Sequence, residues 1–130
     1  MTLQCINPSD LPAPSTYTHV VVAPAGKLVF IAGQEPEDRD GNLVGRDDLA
    51  AQARQVFANM SHALAAAGAR PDQVAKITVY VVGHQPEFLP VIEQARQTLF
   101  GDHKPADVIV GVAALSQPGY LIEVDAFAVT

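Results

Sequence analysis

The chain has 130 residues, 48% of them apolar and 17% charged, with a net charge of −6. That length suits a single domain over residues 1–130 with a sizeable core, and the apolar content excludes a disordered chain. The acidic balance, with no Lys/Arg cluster against it, argues against a nucleic-acid partner. No apolar run reaches membrane-spanning length, and a lone Cys5 can form neither an internal disulfide nor a paired-cysteine zinc site.

Residues 1–16 are rich in Pro, Ser and Thr and read as an arm with a short edge strand around Leu3–Ile6. They lack the basic region and long apolar core of a signal peptide, so the cytoplasm is the expected compartment. Residues 17–23 lead into a first strand, residues 24–27 turn, and Leu28–Ala32 is a second strand; a hairpin is expected. A charged loop then runs through Gly45, with a short strand at Leu43–Val44. Asp47 or Asp48 can cap a helix in which Leu49, Ala53, Val56, Phe57, Met60, Leu64 and Ala67 keep helical spacing. Gly68 stands where a left-handed residue ends it. Val74–Val82 is a strand. Residues 86–100 read as a second helix with Phe88, Val91, Ile92, Ala95 and Leu99 inward, and Pro90 fits only in its first turn. The last quarter, residues 105–129, holds two strands around Ser116–Gly119 and is expected to close as a hairpin.

The order is β-β-α-β-α-β-β. Each helix joins strands by a crossover, so both helices should lie on one face of the sheet. Yet the strands are apolar at nearly every position, as in sheets covered on both sides. The remaining sequence supplies no second cover. The expected cover is another copy of the chain, with a sheet curled on its own core as the alternative.

Three acids sit in the last two strands. Glu123, Asp125 and Phe127 share one side of their strand by alternation. In a terminal hairpin Asp107 would lie about six residues from Glu123, roughly 20 Å at ~3.3 Å per residue. The two carboxylates then meet only across a subunit boundary. There one would have its pKa raised and serve as an acid while the other stayed ionised. The plainer readings are a solvated strand start for Asp107 and ordinary ion pairs for Glu123 and Asp125.

Several stretches together resemble the Rid (YjgF/YER057c/UK114) family. They are Pro14–Tyr17, Val29–Gln34, Gln52 and Asn59 on the first helix, Ala66–Gly68, Val74–Tyr80, Pro105-Ala106, Val110–Leu115 and Ile122–Ala126. No single stretch is specific, but their order and spacing are. The resemblance implies an α+β, chorismate-mutase-like fold with a mixed sheet, two helices on one face and a homotrimer with clefts between subunits. It implies hydrolysis of reactive 2-imino acids to 2-oxo acids and ammonia, with no cofactor. In that family an arginine after Pro-Ala holds the substrate carboxylate, a glutamate on the last strand is linked to water, and an N-terminal tyrosine and the Gly-Gln backbone line the cleft. Tyr17, Gly33 and Glu123 match by position. The arginine's place holds Asp107. An asparagine often found early in the second helix is Ile92, and Val108 and Ile109 replace polar or thiol-bearing residues. Two anions ~4 Å apart repel by about 4 kcal/mol at an effective dielectric of ~20. The usual 2-imino acids are therefore not the expected substrates, and Asp107 would favour a neutral or cationic one.

Other chemistry has weaker support. His19, His62, His84 and His103 are scattered, without zinc-site spacing, so no metal is expected. No G-x-S-x-G elbow or phosphate loop is present. Cys5 has no neighbouring base and reads as a bystander. Tyr17 could be a packed tyrosine and Gly33 a turn glycine. Two functions stay open. One is a trimeric imine or enamine hydrolase, with Glu123 orienting water and Tyr17, Gly33, Asp107, Ile92 and Ile109 around the substrate. The other is a non-catalytic trimer that binds a small molecule or partner.

Overall fold

The structure, a computed structural model, describes residues 2–130. Its strands are β1 (Gln4–Ile6), β2 (Val20–Val22), β3 (Leu28–Gln34), β4 (Val74–Val82), β5 (Ala106–Val112) and β6 (Ile122–Val129). The helices are α1 (Leu49–Ala66) and α2 (Leu89–Phe100), each joined to a neighbouring 3-10 turn, Pro71–Gln73 before β4 and Pro86–Phe88 before α2. The sheet runs β3-β6-β4-β5. β4 pairs parallel with β5 and antiparallel with β6, which pairs antiparallel with β3. β3 and β4 are therefore parallel, and both helices are crossovers.

Both expected hairpins fail. β2 pairs with β1, not with β3. The Lys27 backbone, which would have closed that hairpin, exchanges hydrogen bonds with Thr130 instead. β5 and β6 do not touch, because β4 lies between them. The connection over residues 113–121 is too long for a tight hairpin loop, which takes about two to five residues, and it carries the chain across β4.

Asp48 caps α1, its Oδ1 accepting from the Ala51 amide at 3.0 Å, and Gly68 ends the helix at φ +69°. Pro90 lies in the first turn of α2, where its missing N–H costs nothing. One side of the sheet is sealed by the helices. Val56, Phe57, Met60, Leu64, Ile92 and Ala95 meet Ile77, Val79, Val81, Ile122, Val124 and Ala126, all buried. On the other side Leu28 and Phe30 are 67% and 70% exposed, and Phe127 and Val108 are each 43% exposed. Among the described residues no helix is long and apolar enough to cross a membrane.

Candidate functional site

The sheet's alternation sorts the expected site residues onto two sides. Glu123 stands opposite Tyr80 on β4, on the open face with Asp125 and Phe127. Asp107 stands opposite Ile77, a core residue, and so faces the helices. Within one chain they are on opposite sides of the sheet, separated by a geometry other than the one a hairpin would give.

On the open side Glu123 lies against Gly33. A Cβ built on Gly33 would sit 1.9 Å from Glu123 Oε2 and 2.7 Å from its Cδ. Gly33 belongs to β3, not to a turn after it, and has no positive φ. Its lack of a side chain is needed by the carboxylate, not by the backbone. Burial raises the Glu123 pKa from the ordinary carboxylate value, followed by repulsion from Glu35 and then Asp125. Asp125 is held by the Thr78 amide at 3.2 Å and the Tyr80 hydroxyl at 3.1 Å. That hydrogen bond, then burial, raises the Tyr80 pKa. Ser116 donates to Glu35 and Tyr120 to Glu37. The bond to Glu37 pushes the Tyr120 hydroxyl up to about 12. Among the described residues no ion pair reaches Glu35, Glu123 or Asp125.

Two amides of α1 set this geometry. Gln52, fully buried, donates to Gly45 and Gly119 oxygens at 3.0 Å each and accepts from the Leu121 amide at 2.7 Å. It fixes the approach to β6, and hence Glu123. Asn59 donates to the Glu35 and Glu37 carbonyls at 2.9 and 2.8 Å, fixing the loop after Gly33. Gly33, Gln34, Glu35, Glu37, Asn59 and His62 border an open depression of about 730 Å³.

On the helix side Asp107 pairs with Arg96 of α2. Arg96 is 3% exposed, and its Nε lies 3.4 Å from Glu93. Burial raises the Glu93 pKa, and Arg96 partly opposes that. Ile92 and Ile109 line a cavity of about 310 Å³ with Thr16, Leu89, Glu93 and Arg96. The arm reaches it because the Thr18 amide donates to the Pro105 carbonyl at 3.2 Å and its hydroxyl to the Lys104 carbonyl. Tyr17, beside these contacts, is half-buried and meets the His19 ring edge-on at 5.2 Å. The structure thus groups Ile92, Ile109 and the Tyr17 segment on one side, and Gly33 and Glu123 on the other.

Sequence reasoning missed Arg96 and Glu35. Arg96 was findable: positions 92, 95, 96 and 99 form one inward helical stripe, and an arginine in it demands a buried acid. Glu35 gave no signal, because its influence on Glu123 depends on the fold. Among the described residues no group of three His, Cys, Asp or Glu side chains could hold a metal. Cys5 is exposed on β1.

The family model described as Endoribonuclease L-PSP matches residues 8–130. A RutC family protein of Pyrococcus horikoshii is 38% identical over 104 residues, 80% of each chain. The 3-aminoacrylate deaminase RutC of Acinetobacter baylyi is 29% identical over 124 residues, 95% of each chain. A crystal structure of YyfB of Yersinia pestis, titled a protein of unknown function of the conserved Rid family, superposes with a TM-score of 0.93. It is 37% identical over the whole of both chains.

Proposed function

This chain belongs to the Rid (YjgF/YER057c/UK114) family, and from that premise we propose that it hydrolyses a small imine or enamine in a cleft between subunits. The observation that carries the reading is Glu123: a carboxyl seated on a bare glycine, without a cation, whose pKa is raised by burial and by Glu35. A carboxyl with its pKa raised in this way is better placed to move a proton than an ordinary one. An enamine first tautomerises to its imine. Glu123 takes a proton from water as the oxygen attacks the C=N carbon and passes it to nitrogen, giving a carbinolamine. It then takes the hydroxyl proton and delivers it to nitrogen as the C–N bond breaks, leaving a carbonyl and ammonia. No external oxidant or reductant enters the balance. The family description names a nuclease, but a chain of net charge −6 with Glu35 and Glu37 at the rim of the depression and Glu123 against Gly33 repels a polyphosphate backbone.

The cleft is built from two chains in this reading. Leu28, Phe30 and Phe127 are exposed together on β3 and β6, with Val108 exposed on the same face of β5, and apolar side chains left bare in this way suit a subunit interface. Packing such faces together, as a homotrimer, would set the Glu123 side of one copy against a neighbouring copy. Asp107 stands where the family resemblance places the carboxylate-holding arginine, so the substrate is not a usual 2-imino acid.

The test generates imines in place with an amino-acid oxidase and follows their decay. Acceleration that disappears in Glu123→Gln is the expected result. No acceleration with any imine, charged or neutral, favours the second reading, a trimer that binds a small molecule without turnover. The engagement of Asp107 by Arg96 is the observation on that side.

A further inference from the structure

A guanidinium carries five N–H donors, and a buried one is tolerated when acceptors surround it. In Arg96, Nη1 bonds Asp107 and Nε faces Glu93, while Nη2 is buried and finds no acceptor among the described residues. Arg96 also lines the cavity of about 310 Å³, whose other walls include Leu89, Ile92 and Ile109. The chamber sets apolar walls beside Ser15, Thr16 and Glu93, and Arg96 brings to it a donor without a partner among the described residues. We propose that Arg96 is a specificity-determining residue, and that its Nη2 takes a neutral carbonyl oxygen of an apolar ligand.

The charge count favours a neutral group over a carboxylate. Asp107 already balances the one positive charge, and Glu93 adds a second acid on the same guanidinium. A ligand carboxylate would be a third acid on one cation. An amide- or ester-type oxygen accepts the hydrogen bond without adding charge. Leu89, Ile92 and Ile109 then cover the ligand's hydrocarbon. The inference rests on the reading of this cavity as part of the substrate cleft and names the substrate class for it.

The test compares isobutyramide with isobutyrate, which have the same carbon skeleton and differ in charge. Binding to the full chain at pH 7 is followed by amide resonances of α2 and β5. The amide is expected to bind about tenfold more tightly or better, a difference of about 1.4 kcal/mol. In Asp107→Asn the acceptor oxygen is kept and the charge removed, so preference should move at least about tenfold toward isobutyrate. If that variant does not fold, Glu93→Gln removes the other charge and should move the preference the same way. Equal or tighter binding of isobutyrate to the wild type overturns the proposal. So does a preference unmoved by the variant that folds, or failure of both compounds to shift these resonances. The readout is binding without turnover, so it stands apart from the Glu123 assay: loss of imine hydrolysis in Glu123→Gln with no amide preference would sink only this proposal.

Discussion

The two sides of the sheet handle buried acid in opposite ways. Under the helices Asp107 and Glu93 share one buried arginine, beside Leu89, Ile92 and Ile109 and the hydroxyl side chains Ser15 and Thr16. On the open side Glu35, Glu123 and Asp125 have no cation, only hydroxyl and amide partners at Glu35 and Asp125. An acid paired to a buried cation is anchored by it and suits structure or recognition. Glu123, without such a cation among the described residues, has its pKa raised by burial and by its acidic neighbours. Under the proposed function, the difference gives recognition to one side and proton transfer to the other, and it says where each side breaks.

The largest effect is expected on turnover. Glu123→Gln should lower imine hydrolysis by about 10²–10⁴-fold, the usual scale for a lost general base, with the fold intact by circular dichroism. A residual rate near wild type would mean that the open side does not move the proton. Next comes stability. Arg96→Met strands two acids in an apolar setting and should cost about 3–5 kcal/mol in urea unfolding. Adding Asp107→Leu to it should recover much of that loss, since the pair is then replaced by hydrocarbon. Asp107→Arg alone is a poor route to 2-imino-acid activity, because it sets a second guanidinium against Arg96. A smaller change is expected from Gly33→Ala. Its Cβ must displace the Glu123 carboxylate, so turnover should fall about tenfold while the melting temperature barely moves. A large stability loss with unchanged turnover would make Gly33 a packing residue only.

Much of the fold was legible. Helical spacing located α1 and α2, Asp48 and Gly68 bounded the first of them, and alternation put Glu123 and Phe127 on one face. Strand pairing was not, because pairing depends on which apolar strand offers the better neighbour, and local turn residues such as Pro118-Gly119 do not encode that. The length of residues 113–121 was the overlooked clue against a terminal hairpin. For the candidate site, the sequence marks separate residues and not their grouping. Tyr17, Gly33, Ile92, Ile109 and Glu123 are positions a motif can mark. The Arg96–Asp107 pair needs β5 to lie parallel under α2, a contact no spacing reveals.

The smallest effect is also the one that tests the contrast most directly. Burial, Glu35 and Asp125 raise the folded-state pKa of Glu123 above its unfolded value of about 4.3. A raised carboxyl favours the folded chain while protonated, so its contribution is present below pH ~4.3 and is lost as pH rises through the folded value. Glu123→Gln cannot lose it. The variant and the wild type should therefore melt together below about pH 4, and the variant should melt higher by a margin that grows above that pH and then levels off. In Glu35→Gln the window should narrow, because one of the repelling charges is gone. The opposite sign, a variant that melts lower at neutral pH, would mean that a cation reaches Glu123 in the assembled protein. The open side would then be compensated like the other, and its claim to proton transfer would fall with the contrast.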